Sequence, residues 1–222
     1  MDANNLLRLS VMVRIQNCKM KEFWNKRYAE KEMAYGKEPN EFFSIEISKL
    51  QVGKILLPAE GEGRNAVYSA KLGWKVYAFD ISKEGKQKAD ILAKDNKVII
   101  DYSIEEFKNI KYEREYFDCI GLIYAHFPAN LKSEYHNILD TYLKKDGVVI
   151  FEGFSKSHLK LNSKNSKIGG PKNIDMLFSK EEIKIDFANY EIIELSEKEI
   201  NLNEGLYHNG KSSVIRFVGR KK

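Results

Sequence analysis

Apolar residues in this chain follow two rhythms. Short uninterrupted runs, at Ile55 to Leu57, Val76 to Phe79, Phe117 to Tyr124 and Val148 to Phe154, contain almost no charge. Between them lie segments whose apolar residues recur at helical spacing, such as Ala66, Val67, Ala70 and Leu72, or Leu131, Tyr135, Ile138, Leu139 and Tyr142. A strand covered on both faces reads as a continuous apolar run, and an amphipathic helix reads as a 3.6-residue period. The alternation therefore predicts an α/β fold, a doubly wound and mostly parallel sheet with helices on both faces.

Local signals fill in the rest. Met20 to Tyr28 predicts a short aromatic helix, Ala34 to Asn40 a turn, and Glu41 to about Leu50 a second helix. Trp24, Tyr35 and Asn40 then either close over a ligand or pack this N-terminal part on the sheet. Ser82 is a good N-cap for a helix through Lys94, and Lys97 to Ile100 reads as a third short strand ending at Asp101. A helix from Asn130 to Leu143 and a turn at Lys144 to Gly147 precede the fifth strand. Beyond Phe154 the rhythm breaks: Ser155 to Asn173 is polar with five lysines and reads as a mobile loop. Ser179-Lys-Glu-Glu182 is a capping box opening a helix to about Phe187. Two final strands, Tyr190 to Leu195 and Ser213 to Val218, have no helix between them and are expected to be antiparallel, joined by a long connection. That connection would bring Asn203, Glu204, Tyr207 and His208 to the edge where parallel sheets bind ligands.

At 222 residues the chain suits one domain, burying roughly 70% of the surface its unfolded state exposes. A net charge of +5 is spread thinly, with a locally basic end at Arg216, Arg220, Lys221 and Lys222, and reads as a solvated surface rather than a nucleic-acid patch. Cys18 and Cys119 are the only cysteines, which excludes a disulfide framework or zinc spacing and points to a cytoplasmic protein without a metal. No apolar run is long enough to span a membrane. Residues 1–19 are expected to be a disordered leader or an over-called start upstream of Met20, with the domain at 20–222.

The chemistry concentrates between Lys54 and Asp80. There a strand, a turn containing Gly61 and Gly63, a helix and a second strand make half of a nucleotide-binding fold. The two glycines let backbone approach a ligand, and Asp80 at a strand end is placed to accept hydrogen bonds from a ribose diol. A dinucleotide would set its pyrophosphate on the helix N-terminus, where Glu60 and Glu62 would repel it. S-adenosylmethionine, with an ammonium, a sulfonium and a ribose, tolerates both. Asp101 either accepts from an adenine amino group, with Tyr102 beside it, or caps its strand.

These residues resemble a class I S-adenosylmethionine-dependent methyltransferase, and more narrowly the tellurite-resistance and thiopurine methyltransferase-like group. The features that carry this are Phe23-Trp-Asn-Lys-Arg-Tyr28, Tyr35-Gly-Lys-Glu-Pro-Asn40, Leu56-Leu-Pro-Ala-Glu-Gly-Glu-Gly-Arg-Asn65, Phe79-Asp-Ile-Ser82, His126-Phe-Pro128, Gly169-Gly-Pro171, Leu202-Asn-Glu-Gly205 and Arg216-Phe-Val-Gly219. The resemblance implies a Rossmann-like seven-stranded sheet with its last strand antiparallel. It implies cofactor contacts from Tyr35, Glu60, Gly61, Glu62, Gly63, Arg64, Asn65, Asp80, Ile81, Asp101, Tyr102 and Tyr124, and a small-molecule acceptor such as a thiol or a chalcogen oxyanion. In tellurite-resistance enzymes a His-Arg pair near the C-terminus is associated with the active site. Tyr207-His208-Asn209 holds the comparable place, with the histidine and without the arginine, a departure that weighs against tellurite itself.

Methyl transfer from a sulfonium needs alignment and dryness more than a catalytic triad. If a base is used, His126 and His208 are the candidates, because imidazole titrates near neutrality. Trp24 and Phe127 are expected to face the substrate. Arg64 either binds an anionic ligand group or pairs with Glu60 or Glu62. The alternatives are a nucleic-acid or protein methyltransferase, although Ile123-Tyr-Ala-His-Phe-Pro128 replaces the motif expected for amine methylation, and a non-catalytic S-adenosylmethionine- or nicotinamide-binding protein. A monomer or homodimer is expected.

Overall fold

The computed structural model describes residues 19–222, so the reading of residues 1–18, Cys18 included, lies outside it. Strands β1 (Lys54–Pro58), β2 (Lys75–Asp80), β3 (Asp101–Ile104), β4 (Phe117–Ile123), β5 (Leu143–Phe154), β6 (Tyr190–Glu204) and β7 (His208–Lys221) form one sheet in the order β3-β2-β1-β4-β5-β7-β6. The pairs among β1 to β5 are parallel, whereas β7 runs antiparallel to both β5 and β6. This is the mostly parallel, doubly wound sheet expected from the alternating pattern, with an antiparallel last strand.

The continuous apolar runs are continuous because both faces are covered. Leu56, Tyr77, Phe79, Ile120, Leu122, Val149, Phe151 and Phe217 point to one side, where they pack with Tyr135 and Leu139 of α5 (Lys132–Tyr142) and Ile183 of α7 (Lys180–Asp186). Ile55, Leu57, Val76, Ala78, Cys119 and Ile150 point to the other, against Phe42, Phe43 and Ile47 of α2 (Glu41–Ile47), Ala66 of α3 (Arg64–Lys71) and Ala89 of α4 (Lys83–Asp95). Residues 19–28 form a further helix, α1, and a short α6 spans Leu159–Asn162.

Three expectations are corrected. The third strand begins at Asp101 instead of ending there: Asp101 pairs with Tyr77 and Ile104 with Asp80, so the end facing the ligand edge is Ile104. The connection between the last strands is not a loop. β6 and β7 continue as a hairpin to the pair Glu204–His208, turned by Gly205, Leu206 and Tyr207. The polar Ser196 to Asn203 segment pairs on one side only, and its alternating Ile200 and Leu202 pack with Phe154, Leu177 and Val214. Finally, residues 155–173 form a folded cap with three short helical turns in which His158, Asn162 and Ile168 are buried. Asn162 holds the cap together by donating to the carbonyls of Gly169, Gly170 and Pro171 at 3.3, 3.3 and 3.1 Å.

Candidate active site

A cavity of about 850 Å³ opens above the carboxyl ends of the parallel strands. Its walls come from well-separated parts of the chain: Trp24 and Arg27 of α1, Tyr35, Glu60 and Asp80 below, Glu105 to Phe107 after β3, Tyr124, His126, Phe127 and Pro128 after β4, Gly169 to Asn173 of the cap, and Tyr207 and His208 of the hairpin. Of the residues singled out in the sequence, Trp24, Tyr35, Glu60, Glu62, Arg64, Asn65, Asp80, Ile81, Tyr124, His126, Phe127 and His208 line it.

Of the expected cofactor contacts, Gly61, Gly63, Asp101 and Tyr102 do not line it. Gly63 caps α3 at φ 84°, and a Cβ there would lie 2.5 Å from the Ala89 Cβ, so this glycine lets α4 approach the turn. Gly61 donates its N–H to Asp80, and its carbonyl accepts from the buried Tyr102 hydroxyl at 2.7 Å. Tyr102 thus props the turn from below. Asp101 is exposed at the far end of β3, away from the cavity wall, which corrects its reading as an adenine ligand. Glu105 and Glu106 line the cavity beyond the end of this strand; the apolar Val98 to Ile100 predicts a strand a few residues earlier than the one that forms.

The acidic groups have distinct tasks. The Asp80 carboxylate accepts from Gly61 and Ser82 N–H groups at 3.1 and 2.8 Å, and burial raises it to about 6. Glu60 accepts the Ala66 N–H at 2.7 Å, which places a carboxylate on the N-terminus of α3, and burial raises it to about 7. Glu62 turns away from this role: it pairs with Lys88 at 2.8 Å and accepts the Ala34 N–H at 2.7 Å, tying the N-terminal loop to α4. Arg64 pairs with neither Glu60 nor Glu62. Its guanidinium donates to Glu204 at 3.0 Å and to the Tyr35 carbonyl at 3.1 Å.

Glu204 belongs to a larger polar cluster. It accepts from His208 Nδ1 at 2.9 Å and from the Asn40 amide at 3.2 Å, and the same amide donates to Glu152 at 2.7 Å. Glu152, fully buried on β5, also accepts from Tyr124 at 2.9 Å and from Arg216 at 2.6 Å. Tyr124 adopts φ 50°, a left-handed conformation rare for an aromatic residue, at the point where β4 ends over the cavity. His126 stacks parallel to Phe154 with ring centres 5.8 Å apart, and its buried Nδ1 has no hydrogen-bond partner among the described residues. Burial, reinforced by His208 and His158, pushes His126 down to about 3, so it is a neutral ring at physiological pH. His158 accepts from the Ser213 N–H and faces the Gly169 carbonyl, and His136 pairs with Asp186 at 2.7 Å, so both serve the framework.

The methyltransferase domain family matches residues 56–151, the span holding the glycine turn, Asp80 and β4. The protein carries a class I S-adenosylmethionine-dependent methyltransferase domain. No curated protein matches the chain by sequence. Among solved structures, the methyltransferase is similar to one solved for the conversion of a disulfide bond into a thioacetal group during echinomycin biosynthesis, with TM-score 0.72 and 16% identity over 91% of this chain and 92% of that one. TehB from Haemophilus influenzae gives TM-score 0.66 and 16% identity over 91% and 67% of the two chains. Magnesium protoporphyrin IX methyltransferase from Synechocystis PCC 6803, solved with bound S-adenosylhomocysteine, gives TM-score 0.60 and 12% identity over 80% and 78%. At these identities the likeness is one of fold.

The donor set fits the cofactor. Glu60 already fills the anion position at the start of α3, so a pyrophosphate is disfavoured there while a cationic amino-acid end is not. Asp80 presents a carboxylate suited to a ribose, and Ile81 and Phe107 offer apolar surface on that side of the cavity. When bound, S-adenosylmethionine supplies an electrophilic methyl on a sulfonium that departs as a neutral thioether. No helix among the described residues is long and apolar enough to cross a membrane.

Proposed function

We propose that the methyltransferase acts on a small, soft nucleophile, a thiol or a chalcogen oxyanion. The observation that carries this reading is the roof over the cavity. The aromatic face of α1, the folded cap around Gly169 to Asn173 and the hairpin tip at Tyr207 and His208 converge above the cofactor-binding strand ends, which suits a compact acceptor better than a polymer. Tyr35, Glu60, Asp80, Ile81 and Tyr124 hold the cofactor; Trp24, Phe127 and the two histidines face the acceptor. The chain's contribution to rate is then to hold the reacting atoms at about 3–3.5 Å and to exclude water. The likeness to TehB supports the tellurite-resistance-like subgroup, and the missing arginine beside His208 argues for an acceptor other than tellurite.

A coupled assay of S-adenosylhomocysteine release against thiols, selenite, tellurite, halides and small amines tests the proposal. Turnover with a thiol or oxyanion is the expected result. Transfer to RNA or protein substrates with none to small acceptors would overturn it.

A further inference from the structure

We infer that Glu204 is a positioning residue that fixes His208 as a general base, and that the acceptor is a protic nucleophile, a thiol that must lose its proton. The inference rests on the small-acceptor reading above and narrows it.

The argument begins with what each atom can do. His208 Nδ1 lies 2.9 Å from Glu204 Oε2. An ionised carboxylate only accepts, so Nδ1 carries the proton and a neutral ring is left with its lone pair on Nε2. Burial works against ionisation of Glu204, but His208 and Arg64 outweigh it and hold the carboxyl at about 2, so it is ionised throughout the working range. Its orientation is fixed as well, by Arg64 at 3.0 Å on one oxygen and Asn40 at 3.2 Å on the other.

The ring itself cannot turn away. Tyr35 and Tyr124 pack on it with ring centres 4.4 and 4.6 Å away, and Phe154 meets it edge-on. At Gly169 even a Cβ would come within 2.8 Å of the His208 Cδ2. The hydrogen bond that the ring makes among the described residues is the one from Nδ1 to Glu204, which leaves Nε2 for a ligand in the cavity that the ring lines. The titratable groups that face it are Glu204, Arg64, Tyr35, Tyr124, His126 and His158. Burial lowers the His208 imidazole, Arg64 and His158 lower it further, and Glu204 opposes them. The ring is therefore neutral and able to accept a proton at neutral pH. His126 lacks this arrangement, because no partner fixes its tautomer.

In the step this implies, the acceptor's S–H proton passes to Nε2 as the electron pair of its sulfur forms the new bond to the methyl carbon. The electrons of the breaking sulfonium–methyl bond stay on the donor sulfur. Glu204 stabilises the resulting imidazolium through the Nδ1 hydrogen bond, against the opposing charge of Arg64.

Two thiols of different acidity separate this role from a structural one. 4-Nitrothiophenol is already ionised at pH 7, whereas benzyl mercaptan is not. Glu204→Gln is expected to lower kcat/KM for benzyl mercaptan ~100-fold, a typical general-base contribution, while leaving 4-nitrothiophenol nearly unaffected. Equal losses for both thiols would overturn the inference. Transfer to selenite or tellurite but to neither thiol would also overturn it while leaving the small-acceptor reading intact. Nitrogen-15 NMR of the unsubstituted protein gives a test that needs no variant: the Nδ1–H tautomer of His208 is expected, and an Nε2–H tautomer would sink the proposal.

Discussion

Burial raises the carboxyl groups of Glu60 and Asp80 to about 7 and about 6, and both line the cavity. A carboxyl raised on folding contributes stability while it is protonated, below its unfolded pKa, and that contribution is lost as pH climbs through the folded value. The cofactor-free protein should therefore lose stability at these two positions between about pH 4 and 7. Glu60→Gln, which keeps an oxygen for the Ala66 N–H, is expected to stabilise the free protein by about 1–2 kcal/mol at pH 8. Chemical denaturation should show that gain shrinking towards pH 5, and calorimetry should show weaker binding of S-adenosylmethionine. Asp80 and Gly63 were legible in the sequence because a strand end and a tight turn are local matters. Glu62 and Arg64 were not: Lys88 lies 26 residues from the one and Glu204 140 residues from the other, so only the folded chain reveals either partner.

The β6–β7 hairpin shows how an element can be half visible. Its inner halves carry apolar runs, but the outer part belongs to an edge strand whose solvent side is polar, as edges require. Its tip docks on the loop before α2: Leu206 and Tyr207 donate to the Ala34 carbonyl at 2.8 and 3.2 Å. Gly205, at φ 58°, sits so close that a Cβ would lie 2.4 Å from the Gly36 nitrogen. Gly205→Ala is expected to cost about 1–3 kcal/mol. It should also withdraw His208 from the site, seen as a lower melting temperature together with slower methyl transfer. The cap at residues 155–173 is not legible in the sequence for a related reason. Its order comes from Asn162 and from glycines at φ 72° and 82°, and neither leaves a hydrophobic period.

Across the molecule, contacts join α1 and the hairpin tip into a lid over the cavity. The Arg27 guanidinium lies 3.7 Å from the centre of the Tyr207 ring and donates to the Tyr35 hydroxyl at 3.1 Å. Arg27→Ala should accelerate amide exchange in α1 and at residues 205–207 together, and unchanged exchange at the tip would show that the two move independently. The mostly parallel sheet and the glycine turn beneath the cavity followed from the hydrophobic rhythm and local turn chemistry, while the lid depends on contacts that no period encodes. The place of β7 between β5 and β6 has a further consequence, for the order of folding. The last of the strands is an interior one, so β6 has no partner, and β5 only β4, until residues 208–221 have left the ribosome. Until then β5 exposes an open edge, and the histidine beside the cavity arrives with the strand that closes it.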